Sequence, residues 1–278
     1  LIQNGNGTLV LNGVNTYTGG TTLNAGTLTI GNTAAAGSGS IVQTSNSSLL
    51  KVDVTGTINN AMSYYTMQAS QNATLAGAQT VHNASFNVDD NTTLAISGDV
   101  SGSGGVTKNG NGTLVLSGNN TYLAPTVINA GTLKAQAGNV LPNRSPLTVA
   151  AGATFDINNA GQVIGSLSGS GFVLNSTGTA VSTLTVGRDD TSTTFGGRFS
   201  ATVDARWLAI TKNGAGTFTL NPAVASTYTG TTLVTGGSIV LDFVNSGALT
   251  SLLGVTPLTI AGGDFTLKGR AGLAVSQT

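Results

Sequence analysis

Asn109-Gly110-Asn111-Gly112-Thr113-Leu114-Val115-Leu116 is the stretch on which the reading of the fold turns. Leu114 and Leu116 fall on one side of an alternation and Val115 on the other, the period of a half-buried strand. The two Asn-Gly pairs in front of it are residues that tolerate positive φ at a tight corner. The stretch recurs as Asn4-Gly5-Asn6-Gly7-Thr8-Leu9-Val10-Leu11 and as Asn213-Gly214-Ala215-Gly216-Thr217-Phe218-Thr219-Leu220. Each copy goes on to a tyrosine (Tyr17, Tyr122, Tyr228) and then to a second short strand. Those second strands follow Asn24-Ala25-Gly26-Thr27-Leu28, Asn129-Ala130-Gly131-Thr132-Leu133 and Thr235-Gly236-Gly237-Ser238-Ile239. The units start near 3, 108 and 212. That interval exceeds one solenoid repeat of about 20 to 50 residues, so each long period must hold several structural turns.

Alternation of the same kind runs through Thr27-Leu28-Thr29-Ile30, Leu147-Thr148-Val149, Thr183-Leu184-Thr185-Val186 and Leu258-Thr259-Ile260. Between these strands sit Asn-Gly, Ala-Gly and Gly-Gly corners, and no capped apolar stripe of helical period is present. Short strands with tight corners fit a sandwich or a solenoid. Self-similarity from end to end favours the solenoid, because each turn can stack on its neighbour. The expectation is an all-β chain, residues 1–278 forming a single β-helix segment. At roughly 20 to 25 residues per rung it has about twelve rungs.

Composition narrows the chemistry. The chain has ten basic and ten acidic side chains, no cysteine and one histidine, His82, and every acid is aspartate. Disulfides and thiolate or multi-histidine metal sites are therefore excluded. A net charge of zero with no basic run argues against a nucleic-acid partner. With 39% hydrophobic residues the chain can still bury a core. No run of about 18 apolar residues is present to cross a membrane as a helix.

The long motif Asn-Gly-x-Gly-Thr-Leu-x-Leu, Asn-Thr-Tyr-Thr-Gly, Asn-Ala-Gly-Thr-Leu resembles the autotransporter-associated β-strand repeat of bacterial type V autotransporter passenger domains. The third copy departs most, with Ala215, Pro222 and Thr235 in place of Asn, Gly and Asn. The resemblance implies a right-handed parallel β-helix exported through the outer membrane by a C-terminal β-barrel translocator. That barrel is expected in the full-length protein and is absent here, so the chain reads as a segment of a larger passenger. Absence of cysteine suits export through an oxidising periplasm.

Candidate sites are sparse. Asp89-Asp90 and Asp189-Asp190, the latter beside Arg188, suggest the paired carboxylates of a polysaccharide-cleaving β-helix. Adjacent strand residues face opposite ways, however, so solvated corner aspartates are the simpler reading. A His82-based triad would need an acid from another rung. Gly262-Gly263-Asp264 matches one fragment of a calcium-binding nonapeptide, a motif that works only in tandem. The Thr-x-Thr triplets are too irregular for an ice-binding array. Tyr17, Tyr122 and Tyr228 are explained by repeat architecture. The ligand-binding candidates are Tyr64, Tyr65, Arg206 and Trp207, aromatic rings with a neighbouring charge outside the repeats. Of the adjacent Tyr64 and Tyr65, one ring falls on each strand face.

The expected function is a structural β-helical stalk of a surface-displayed or secreted autotransporter passenger, adhesin-like, whose repeats support folding and export. It is expected to have no catalytic residue, metal or cofactor in this segment. A carbohydrate-active, pectin lyase-like β-helix enzyme and a direct host glycan or protein binding module are the alternatives. Host surface proteins or glycans, or self-association between cells, are the candidate partnerships. The expected location is the bacterial cell surface, at the outer membrane, or the medium after release.

Overall fold

The computed structural model describes residues 1–177, 181–201, 208–247, 252–254 and 257–272. All the regular elements among them are β-strands, and neighbouring strands pair in parallel. Parallel pairing needs a connection that returns to the same edge, and here each connection is one turn of the coil. The chain groups into two compact units, Leu1–Pro125 with Asn129–Leu133, and Thr126–Ile128 with Lys134–Thr278. Together the units comprise about 11 turns of parallel β-solenoid. That is slightly fewer than about twelve because some turns are long: Leu147 finds its partner on the next turn at Leu167, but Gly169 finds its own only at Phe195.

In the first unit one face stacks Ile2–Gln3, Thr21–Leu23, Ile41–Gln43 and the leading halves of Met62–Ala69 and Gln79–Val88. A second stacks Thr8–Leu11, Thr27–Ile30 and Leu49–Val52, then the trailing halves of those two long strands. Gly56–Ile58, Ala73–Leu75, Thr93–Ile96 and Thr113–Leu116 form a third. Register aligns like with like. Leu9 pairs with Leu28, Leu28 with Leu50, Leu50 with Met67 and Met67 with Phe86. From Leu28 onward these side chains are fully buried. Each fully buried aliphatic or aromatic side chain contributes about 1.5–3 kcal/mol, so the inward column is the main source of stability. Val10, in the alternate position, is 50% exposed.

The second unit repeats this plan. Leu147–Val149, Leu167–Gly169, Thr193–Phe195, Thr217–Leu220 and Ser238–Asp242 stack on one face. Thr154–Asp156, Phe172–Asn175 and Arg198–Ala201 form another. Gln162–Val163, Ser182–Val186, Leu208–Lys212 and Thr232–Val234 form the third. Phe195, Phe199 and Tyr228 make an aromatic cluster inside it, with ring centroids 5.2 and 5.7 Å apart.

Candidate functional site

Each repeat copy builds one corner from the same parts. The glycine of its second strand takes positive φ (71° at Gly26, 64° at Gly131, 62° at Gly237). A Cβ at Gly131 would lie 2.6 Å from Gly110 O and closer still to Gly112 O, so the earlier corner of the repeat packs directly on this glycine. Gly26 and Gly237 meet the matching carbonyls, Gly5 and Gly7 in one copy and Gly214 and Gly216 in the other. Ladder bonds follow suit: Asn24 N–H donates to Gln3 O (2.9 Å), Asn129 N–H to Lys108 O (2.9 Å) and Thr235 N–H to Lys212 O (2.8 Å). Two copies add an asparagine ladder, Asn24 Nδ2 to Asn4 Oδ1 and Asn129 Nδ2 to Asn109 Oδ1. In the third, Thr235 turns its hydroxyl to Lys212 O at 3.1 Å instead.

The residue ahead of each Asn-Gly corner went unnoticed in the sequence. Lys108 stands in the buried column, paired with Phe86, and is wholly inaccessible. Its Nζ donates to Asn109 O (2.8 Å), Gly110 O (2.7 Å) and Ala130 O (3.2 Å). Lys212 lies between Val186 and Val234 and donates to Asn213 O (2.7 Å), Gly214 O (2.8 Å) and Gly236 O (3.1 Å). Gln3 fills the equivalent place in the first copy, its Nε2 reaching Gly5 O and Gly7 O. Burial lowers the Lys108 pKa to about 8. Burial also lowers that of Lys212, opposed by the nearby Asp190 and Asp189 charges.

Of the sequence candidates, Tyr64 is in the core, edge-on to Phe86 at 5.4 Å, and cannot meet a ligand. Tyr65 takes the outward face, stacked on His82 with ring centroids 4.9 Å apart. His82 Nε2 is 2.9 Å from Ser63 Oγ, one turn earlier. The trio marks an irregularity: the pairing of Gln79–Val88 with Met62–Ala69 shifts between Val81 and Ser85, and Asn83 there has φ 59°. Bulges of this kind re-aim side chains. Arg206 and Trp207 lie outside the described residues.

Three of the four paired aspartates are engaged by neighbouring groups of the fold. Asp89 accepts both of its bonds from Gln68 Nε2 at 3.0 Å. Asp189 Oδ1 accepts from Thr191 N–H and Oγ1, and Asp190 Oδ1 from Ala215 N–H at 2.8 Å. The Arg144–Asp190 pair at 3.9 Å is mostly exposed and contributes little. At Asp242 burial raises the pKa, but hydrogen bonds from Asn245 and Val244 outweigh it and leave the carboxyl lowered. Among the described residues no group of three or more His, Cys, Asp or Glu side chains is placed to hold a metal ion.

Comparison with known proteins bears on these corners. The passenger-associated-transport-repeat family model matches residues 1–30, 106–135 and 210–241, and each match takes in one complete corner with its Gln3, Lys108 or Lys212. The chain is 33% identical over 188 residues, 65% of its length, to the Adhesin BmaC autotransporter of Brucella suis biovar 1 (strain 1330). It spans only 5% of that relative. No solved structure matches it.

Proposed function

We infer that this chain, which carries three passenger-associated transport repeats, is a β-helical stalk segment of an adhesin-like autotransporter passenger, displayed at the bacterial surface or released from it. The observation that carries this reading is the recurrence of one corner geometry in all three repeats, on a solenoid whose relative is an autotransporter adhesin. The fold supplies the mechanism. Each turn buries its apolar face only when its neighbour is present, so folding outside the cell proceeds by adding turns and disfavours return of the chain. The segment acts as scaffold rather than enzyme, a reading supported by the engagement of Asp89, Asp189 and Asp190 with Gln68, Thr191 and Ala215 of the fold.

Gly131→Ala, in the middle repeat, tests the export role. In the full-length protein it slows the appearance of passenger on intact cells, measured by antibody binding to an epitope beyond the repeat. Unchanged surface appearance of a measurably destabilised variant would remove the export role.

A second reading, direct binding of a host glycan or protein, is favoured by the outward Tyr65–His82 stack at the bulge. A binding screen with the wild-type chain and Tyr65→Ala decides it: loss of a specific partner in the variant supports a recognition site. Equal binding by both leaves the stalk role alone.

A further inference from the structure

We propose that the corner of each lysine-bearing transport repeat is a binding cage for a primary ammonium group, filled from within by Lys108 or Lys212, and that its occupation locks one turn of the solenoid onto the next. The idea stands apart from the export role, because it concerns only how successive turns hold together.

The geometry is that of a built site. An ammonium has three N–H donors and no acceptor, and each cage offers three carbonyl oxygens. Two carbonyls come from the lysine's own corner, Asn109 and Gly110 or Asn213 and Gly214. The third, Ala130 O or Gly236 O, belongs to the next turn, so the set is complete only once that turn has docked. No carboxylate is among the bonds of either Nζ; backbone carbonyls make all the direct contacts, with the Asp190 and Asp189 charges acting on Lys212 only from a distance. The stem runs through apolar surroundings, Phe86 in one case and Val186 and Val234 in the other. An alkyl sleeve closed by three carbonyls suits a primary alkylammonium and has no counterpart for a quaternary cation, which lacks N–H donors.

The first repeat is a natural comparison. Gln3 spends its amide on Gly5 O and Gly7 O, both in its own corner, and reaches no carbonyl of the next turn. Its corner is capped without the bond between turns, which separates capping from locking.

Lys108→Ala in the complete chain tests the cage, by thermal unfolding and by hydrogen exchange at Asn129 and Thr132, whose amides donate to Lys108 O and Gly112 O. The expected result is a midpoint lowered by several degrees and exchange at those amides faster by about tenfold or more, with Thr27 unaffected. Propylammonium chloride recovers both; choline chloride and sodium chloride at equal ionic strength do not. An unchanged midpoint with unchanged exchange overturns the proposal, as does equal recovery by all three salts. If Lys108→Ala fails to fold, Lys108→Gln takes its place, following Gln3. It should retain the fold while losing protection at Asn129, and full protection in that variant overturns the lock.

Discussion

Lys108 Nζ and Ala130 O are 22 residues apart in sequence and 3.2 Å apart in space, and the bond between them joins two successive turns of the solenoid. The lysine reaches that carbonyl from inside the apolar column, above Phe86. Burying an ammonium is costly, and emptying the cage would cost as well, because two corner carbonyls and one from the next turn would lose their donor. The same compromise appears with Gln43, which is buried at another corner. Its Nε2 donates to Ser48 O while its Oε1 accepts from Tyr65 and Thr66 N–H. Inward polar side chains thus satisfy backbone groups where the ladder bends.

Gly131→Ala should destabilise more than Gly152→Ala. Both glycines have positive φ, 64° and 79°, so alanine is strained at either by about 1–2 kcal/mol. At Gly152 a Cβ meets nothing within 4 Å, whereas at Gly131 it meets the carbonyls of the preceding corner. The total at Gly131 should reach about 2–5 kcal/mol, measured as a shift in urea midpoint. Equal losses at the two sites would show that φ alone dictates glycine in the repeat.

Much of this architecture is legible in the sequence. Thr8–Leu11, Thr113–Leu116 and Thr217–Leu220 are strands, and their alternation assigns Leu114, Leu116, Phe218 and Leu220 to the core, where they are buried. The position of Lys108 follows the same alternation from Val106, but charge masks it, because a lone lysine reads as solvent-facing until the carbonyls around it are seen. The pairing of His82 with Ser63 is hidden in the sequence for another reason. Their contact depends on how many residues one turn consumes, and turn length varies along this chain. The choice between Tyr64 and Tyr65 needed the register against Val81, which places Tyr64 inward.

The Tyr65–His82 stack is a surface feature. Tyr65→Ala should therefore change stability by no more than about 1 kcal/mol, in contrast to the buried Phe86, where alanine should cost about 3–5 kcal/mol. Urea unfolding of the two variants checks the contrast. A large loss at Tyr65 would make the ring a structural staple and remove it as a recognition candidate.

Stability should rise as the pH increases from about 8 toward 10, because relief from burying a charge at Lys108 outweighs the loss of one of its three N–H donors in the cage. At pH 7 Lys108 is charged in both states, and the full cost of burying the ammonium is present. Its folded pKa of about 8 lies below the ordinary 10.5, so between these values the unfolded chain binds more protons and alkali favours the fold. The gain from this one group is at most about 3 kcal/mol. Urea midpoints across the range should climb in the wild type and stay flatter in Lys108→Gln. Identical profiles would show that Lys108 does not titrate in this window.

Tyr64→Phe should stabilise the chain by about 1 kcal/mol, because the buried Tyr64 hydroxyl makes no hydrogen bond and its removal abolishes a desolvation cost. The same variant bears on the alkaline limit. Burial raises the Tyr64 pKa above the ordinary 10.0, so above that pH the unfolded tyrosine loses its proton first and the fold is progressively weakened. In the wild type this loss sets in just where the Lys108 gain is being completed, giving a maximum near pH 10. Phenylalanine has no proton to lose, so the Tyr64→Phe profile should continue upward past the wild-type maximum. A decline at the same pH in both proteins would place the alkaline weakness on another group.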